Sequence, residues 1–187
     1  MKILALIALL SLTAKAQIPT AAIDSTLNQL HHSAAKADGK TYFDLFSKDA
    51  IYIGTDASER WTIGQFRDFA MPYFSKGRGW TYTPRERHIT IATTPCACIA
   101  WFDELLDSES YGTSRGTGVL VKQGNQWKIA QYALTFPIPN DLAKGMTAEI
   151  KAFESKQHHL NESQPQRSRR SHRRICMCAR TASDNRP

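Results

Sequence analysis

The sequence lacks the short motifs that mark several common catalytic folds. Its one match to the Gly-x-Ser-x-Gly spacing, Gly112-Thr113-Ser114-Arg115-Gly116, lies at the start of a predicted strand and not between a strand and a helix, where the nucleophile turn of many hydrolases is found. The segment Gly116-Thr117-Gly118 lies inside a predicted strand rather than before a helix, so it is not typical of a phosphate-binding loop. The adjacent pairs His31-His32 and His158-His159 cannot each direct both rings to one metal from a helix face. Nucleophilic catalysis and nucleotide binding therefore have no support in the sequence.

Long apolar runs are also missing. The longest, residues 3–12, is shorter than the roughly 20 apolar residues that a membrane-spanning helix needs. Lys2 precedes this run, and small residues follow at Ala14 and Ala16, which is the layout of a secretory signal. We therefore predict a signal peptide over residues 1–16 and a secreted or periplasmic chain beginning at Gln17, with no membrane span after cleavage.

The central region lacks net charge. The chain as a whole carries a formal charge of +7, yet residues 17–157 contain 15 basic and 15 acidic residues. Most of the excess lies in residues 158–187, which contain seven arginines and are predicted to form a disordered tail. We expect no nucleic-acid partner for the core. The tail is either an extension without a specific role or an arm for nucleic acid or an anionic surface.

The four cysteines form two pairs, Cys96 with Cys98 and Cys176 with Cys178, each separated by one residue. Structural zinc sites usually separate paired cysteines by two to four residues, so no metal site is predicted. Free thiols or one local disulfide remain the alternatives, and export permits the disulfide.

The remaining stretch, residues 17–157, has the length of one domain. Apolar residues three and four positions apart predict an amphipathic helix over residues 20–36, a short helix over residues 42–46, a third from Thr62 to about Phe74 and a last one over residues 141–156. Pro72 predicts a kink or an early end near Ala70, and Lys48-Asp49 is predicted to be a turn. The inward side chains of the third helix are expected to be Ile63, Phe66, Phe69, Ala70 and Tyr73.

Strand-like segments occupy residues 50–54, 82–92, 96–106, 113–122 and 126–136. The last four are joined by connections too short for a crossover helix, so neighbouring strands should be antiparallel. The predicted fold class is α+β: a curled antiparallel sheet with helices packed on one face, whose concave side forms a cavity.

Three stretches carry a resemblance to a known family: YFDLFSKDAIYIGTDASERW at 42–61, AWFDELLD at 100–107 and RGTGVLVKQGNQWKIAQYALTFPIPN at 115–140. With the order of elements, they resemble the SnoaL-like domains of the nuclear transport factor 2-like superfamily, which also contains ketosteroid isomerases and scytalone dehydratase. The resemblance implies a cone-shaped fold over residues 17–157, a pocket lined by the concave sheet face, and a homodimer. Such folds serve enzymes and binding modules alike, so the fold does not decide the chemistry.

Two residues are candidates for a catalytic acid or base. Asp103 and Glu104 are adjacent on a predicted strand and must point to opposite faces. If Asp103 faces the cavity beside Trp101, desolvation raises its pKa and makes it a usable base; the alternative is a structural ion pair with Arg115. His88 could exchange a proton near neutral pH, or serve only as a hydrogen-bonding residue.

Aromatic and polar side chains on the predicted strands and helices are candidates for ligand contact. They are Tyr52, Trp61, Trp80, Trp101, Arg115, Gln131 and Tyr132. No cofactor is predicted. Three functions are compatible with these residues: binding of a small, partly apolar molecule, cofactor-independent isomerisation or dehydration, and non-catalytic dimerisation through the outer face of the sheet.

Overall fold

The computed structural model describes residues 20–163. The predicted signal peptide and most of the predicted tail, including Cys176 and Cys178, lie outside the described residues. The chain divides into two units, with the boundary between Pro137 and Ile138.

Three helices belong to the first unit: α1 (Ala21–Ala35), α2 (Gly39–Asp44) and α3 (Ile63–Phe74). Helix α1 buries Ile23, Leu27, Leu30 and Ala34, as the spacing predicts. Thr62 begins α3 through a capping box with Gln65, in which each side chain bonds the backbone of the other.

Six strands form one curled sheet that does not close: β1 (Phe46–Ile53), β2 (Arg60–Thr62), β3 (Thr83–Ile91), β4 (Ile99–Ser108), β5 (Gly112–Gln123) and β6 (Gln126–Thr135). Their order in the sheet is β2-β1-β6-β5-β4-β3. The prediction that successive strands from β3 through β6 pair antiparallel is confirmed. The sheet is nevertheless mixed, because β1 pairs with β6 in parallel. Helix α3 and four strands separate β1 from β6 in the chain, and such a long connection permits a parallel crossover. The α+β class is confirmed.

Several local predictions are wrong. The Lys48-Asp49 segment is part of β1, and a register shift between Phe46 and Ile51 accommodates it. Of the two outcomes predicted for Pro72, the early end near Ala70 does not occur, because the helix hydrogen bonds continue to Ser75, whose N–H donates to the Met71 carbonyl. The β2 strand is absent from the prediction, since its three residues are too few to show alternation.

The buried face of α3 is also turned from the predicted one. Phe66, Ala70 and Phe74 are buried, whereas Phe69 and Tyr73 are about half exposed. Spacing alone identified a stripe of apolar residues wider than the surface that the sheet covers.

The core of the first unit lies between the helices and the inner face of the sheet. On β4 the inner residues are Ala100, Phe102, Glu104 and Leu106, which alternate with outward-facing neighbours. Glu104 is the exception among them, because it is a carboxylate that is only 1% exposed. A charge at such a depth needs partners, and these define the site described below.

The second unit contains α4 (Asn140–Ser163), which confirms the last predicted helix and extends it. Its apolar stripe, Leu142, Met146, Ile150 and Phe153, is exposed. None of the helices in residues 20–163 is both long and apolar enough to cross a bilayer.

Candidate functional site

A buried carboxylate, Glu104, is the centre of the site. Its Oε1 atom lies 2.8 Å from Nε2 of His31 and accepts a hydrogen bond of 3.1 Å from the Tyr132 hydroxyl. His31 comes from α1 and Tyr132 from β6, so three separate elements meet at one oxygen. The rings of His31 and Tyr132 also make an edge contact, with centroids 6.5 Å apart.

The second carboxylate oxygen of Glu104 is bound by Arg87 of β3. Arg87 Nε donates to Oε2 at 2.8 Å, and Nη2 lies 2.7 Å from the same oxygen, a charge contact without hydrogen-bond geometry. Arg87 Nη1 donates to Asp24 at 2.7 Å and to Asn28 at 2.8 Å, both on α1. The guanidinium thus ties α1 to the sheet and neutralises the buried charge of Glu104.

This network keeps Glu104 ionised. Burial alone would raise the pKa of its carboxyl, but the hydrogen bond and charge of His31, together with Arg87, lower the pKa below its ordinary value. Burial, reinforced by the nearby charge of Glu104, raises the pKa of Tyr132 well above its ordinary value. Tyr132 therefore remains protonated at neutral pH and acts as a hydrogen-bond donor.

A glycine on β5 provides the space for these contacts. Gly116 pairs with Glu104 across the strands. A Cβ atom at position 116 would collide with the Tyr132 hydroxyl and lie 2.8 Å from Glu104 Oε1. Gly118 similarly leaves room for the Phe102 ring, 2.8 Å from the position that a Cβ would take. The two glycines of the Gly-Thr-Gly segment therefore leave space on the inner face of the sheet for neighbouring side chains, which explains them without a bound phosphate.

His31 and Tyr132 face a small inner pocket of about 10 Å³, room for about one water molecule. Its other walls are Leu30, Ala34, Tyr42, Tyr52, Trp80, Tyr82 and Leu134. Tyr52, Trp80, Tyr82 and Leu134 also line a wider outer pocket of about 200 Å³. These shared walls place the two pockets side by side, with the Glu104 network behind the inner one.

Aromatic side chains dominate the outer pocket. Tyr52 and Phe66 stack with ring centroids 3.7 Å apart, and Trp61 stacks on Phe66 at 5.5 Å. Trp61 also stacks on Phe69, so the four rings form one stacked cluster that lines the pocket. Tyr111 and Phe136 stack on each other at 4.8 Å and also line this pocket. Flat aromatic surfaces favour planar apolar ligands.

The structure separates the predicted site residues into two groups. Tyr52, Trp61, Trp80 and Tyr132 lie together around the two pockets. In contrast, Asp103, Trp101, His88, Arg115 and Gln131 are exposed.

The expectation that Asp103 faces the cavity is wrong. On β4 the inward position belongs to Glu104, and Asp103 shares the outer face with Trp101, which is 48% exposed. The alternative ion pair with Arg115 is not formed either, because Asp103 stands opposite Thr117. His88 also points outward, and its Nε2 lies 2.8 Å from Glu86 on the protein surface. The phase of the strand alternation decides all of these positions.

His31, Arg87 and Glu104 are not among the site residues predicted from the sequence. A signal existed for His31, because it lies one position from Leu30 and four from Leu27 on the buried side of an amphipathic helix. A polar residue on that side needs a buried partner. The partner itself, 73 residues away, could not be identified from the sequence.

A further hollow, about 760 Å³ in volume, is lined by apolar and polar residues together, the polar ones including Lys48, Arg67 and Lys128. It is larger but holds none of the convergent buried polar groups, so the aromatic pocket is the better candidate. Within residues 20–163, no three His, Cys, Asp or Glu side chains are grouped so that they could hold a metal ion.

Comparison with known proteins agrees with this architecture. The family model of the SnoaL-like domain matches residues 23–139. No curated protein matches the chain.

Similar solved structures share the fold at low sequence identity. A dehydratase candidate of the NTF2-like family from Streptomyces avermitilis has a TM-score of 0.53 at 8% identity, over 63% of this chain and 95% of that one. An aromatic ring hydroxylase candidate from Novosphingobium aromaticivorans has a TM-score of 0.53 at 16% identity, over 66% and 94%. An NTF2-like protein of unknown function from Pseudomonas putida has a TM-score of 0.52 at 13% identity, over 63% and 86%. At such identities the likeness concerns the fold alone.

Proposed function

Since the chain belongs to the SnoaL-like domain family through residues 23–139, whose fold serves both binding and catalysis, we propose that it binds a small, planar, largely apolar molecule. The observation that carries the proposal is the aromatic outer pocket beside an inner pocket faced by His31 and Tyr132. An apolar pocket with a few convergent polar groups is the usual form of a small-molecule site.

The size and lining of the pocket restrict the ligand. Pockets for drug-sized molecules have volumes of about 300–1,000 Å³, and this one has about 200 Å³. The ligand is therefore smaller, with one or two rings. It lies against the wall formed by Tyr52, Trp61, Phe66 and Phe69, and its polar end points to the inner pocket. There the Tyr132 hydroxyl, whose hydrogen is donated to Glu104, can accept a hydrogen bond and so favours a ligand hydroxyl or amino group.

Binding can be tested with a library of small aromatic compounds. We expect saturable increases in melting temperature for planar compounds carrying a hydroxyl or amino group, and quenching of tryptophan fluorescence at the same concentrations. Trp61→Phe removes an indole from the pocket wall and should reduce the quenching. Trp101→Phe is the matched control, because Trp101 lies on the outer face of the sheet. Equal quenching in both variants, or no saturable shift with any compound, would refute the proposal.

A second candidate is an enzyme that moves a proton, as an isomerase or a dehydratase, and the His31–Glu104 pair favours it. An ionised carboxylate bonded to one imidazole nitrogen fixes the orientation of the ring and leaves the other nitrogen as the one that can exchange a proton. The ring nitrogen of His31 that does not contact Glu104 would exchange a proton with the ligand. Tyr132, whose hydrogen is donated to Glu104, would orient the ligand by accepting a hydrogen bond from it.

Separate measurements of binding and turnover distinguish the two candidates. For a ligand found in the screen, or for unsaturated ketones and β-hydroxy ketones as probes, catalysis predicts that His31→Gln abolishes turnover and retains binding. His88→Gln is the control, since His88 is on the surface. Turnover that survives in His31→Gln would exclude His31 as the base, and absence of turnover in the unaltered protein would leave binding as the function.

We also propose that the chain is exported and acts as a homodimer. Cleavage after Ala16 predicts a mature protein that begins at Gln17, which N-terminal mass spectrometry of the periplasmic and secreted fractions would detect. Sedimentation analysis measures the oligomeric state. A dimer through the outer face of the sheet predicts that Trp101→Glu produces monomers, and an unchanged mass in that variant would exclude this interface.

A further inference from the structure

We propose that Cys96 and Cys98 form a thiol–disulfide exchange site, at which external dithiols reduce the bond without unfolding the protein. The two cysteines are disulfide-bonded in the connection between β3 and β4. The site is separate from the aromatic pocket, none of whose lining residues belongs to this connection.

The backbone of this disulfide is bent into an unfavourable conformation. The two Cα atoms are 5.1 Å apart, whereas two residues of extended strand span about 6.6 Å. The bend lies at Ala97, whose φ angle is +43°. This left-handed region is disfavoured for residues with a Cβ atom. The turn, in which the Ala97 N–H donates to the Thr94 carbonyl at 2.9 Å, and the disulfide together hold Ala97 there, and reduction removes one of these two constraints.

The surroundings allow reduction in the folded state. Cys96 and Ala97 are exposed and Cys98 is partly buried. The backbone around the pair is bonded independently of the sulfurs: the Ala92 N–H donates to Ile99 and the Lys122 N–H donates to Cys98. These bonds keep the ends of β3, β4 and β5 together when the disulfide opens.

The reaction balances as a two-electron exchange. A thiolate of the external dithiol attacks one sulfur, forms a mixed disulfide, and displaces the other cysteine as a thiolate, which takes up a proton. The second thiol of the same dithiol then attacks the mixed disulfide and releases the first cysteine. The dithiol is oxidised to a disulfide, and the Cys96–Cys98 bond is reduced to two thiols.

Equilibration of the full chain with dithiothreitol at fixed ratios of reduced to oxidised reagent tests the proposal. After alkylation, trypsin releases residues 88–115 as one peptide, separate from the one that carries Cys176 and Cys178. We expect Cys96 and Cys98 to be reduced while near-ultraviolet circular dichroism retains the native signal. A bond that opens only when this signal is lost would overturn the proposal.

Ala97→Gly tests the cause. Glycine adopts positive φ without penalty, so this change should make the oxidised form about 5- to 30-fold harder to reduce. Ala37→Gly is the matched control, because Ala37 also has a positive φ, +54°, far from the disulfide. It should stabilise the fold and leave the exchange equilibrium unchanged. An Ala97→Gly equilibrium equal to that of the unaltered protein, or equal shifts in both variants, would overturn the role of Ala97.

Discussion

Replacing Glu104 with glutamine tests whether the buried ion pair organises the first unit. The substitution preserves the shape of the side chain and removes its charge. Arg87 remains, with a side chain only 8% exposed and its principal countercharge gone. If the glutamine oxygen accepts from Tyr132, its NH2 group faces the Arg87 Nε–H donor, so the change removes the charge together with the hydrogen bond from Arg87.

The magnitude follows from the partners that remain. Removing one member of a buried ion pair costs about 3–5 kcal/mol, because the other charge is left uncompensated. Arg87 keeps its contact with Asp24 at 2.7 Å, but that carboxylate is half exposed and its charge is screened by water. We therefore expect a loss near the lower limit, about 3 kcal/mol. Because the free energy of unfolding falls by about 2 kcal/mol per molar urea for a protein of this size, the urea midpoint should fall by about 1.5 M.

Tryptophan fluorescence during urea unfolding is the suitable assay, since all four tryptophans lie in the first unit. Asp103→Asn is the matched control: it changes an adjacent carboxylate on the same strand, and none of the ion pairs within residues 20–163 includes Asp103. It should alter stability by less than about 0.5 kcal/mol. Such a measurement resolves differences in the urea midpoint of ~0.2 M. A smaller difference between Glu104→Gln and the unaltered protein would refute the reasoning. An equal loss in Asp103→Asn would also refute it.

Further predictions concern pH, the space around Glu104 and the disulfide. Because the pKa of Glu104 is lower in the folded state than its ordinary 4.5, its charge stabilises the fold above about pH 4.5 and this contribution is lost as the pH falls through the folded pKa. The urea midpoint of the unaltered protein should therefore exceed that of Glu104→Gln by a constant amount near neutral pH, and this difference should shrink below pH 4.5. A difference that grows in acid would contradict the predicted direction. Gly116→Ala should destabilise by about 1–3 kcal/mol through collision with Glu104 and Tyr132. Gly64→Ala, at a helical site with no atom within 4 Å, should instead stabilise by about 0.4–1 kcal/mol, and a thermal melt in which both variants shift alike would contradict the packing argument. Replacing Cys96 and Cys98 together with alanine should cost less than about 1.6 kcal/mol, since so short a closed loop restricts the unfolded chain little; a larger fall in the urea midpoint would show that the bond is a structural staple.

Local sequence patterns predict much of the architecture. The apolar spacing in α1, the turn signals between β3 and β6, and the absence of room for crossover helices were sufficient to predict an α+β fold with antiparallel neighbours. Local patterns failed where a non-local contact decides the outcome. The parallel partner of β1 is distant in the chain, and the start of β4 is displaced from Cys96 to Ile99 because the disulfide bends the backbone at Ala97.

The site shows the same division. Alternation along β4 established that Asp103 and Glu104 point to opposite faces, and this holds in the structure. It contains no information on which face is inward, because shifting the assignment by one residue preserves the pattern and reverses every side chain. Only the packing of α1 and β3 against β4 selects Glu104, since His31 and Arg87 lie where they can compensate its charge. The amino-acid sequence therefore determines which residues share a face, and the tertiary structure determines which carboxylate is buried.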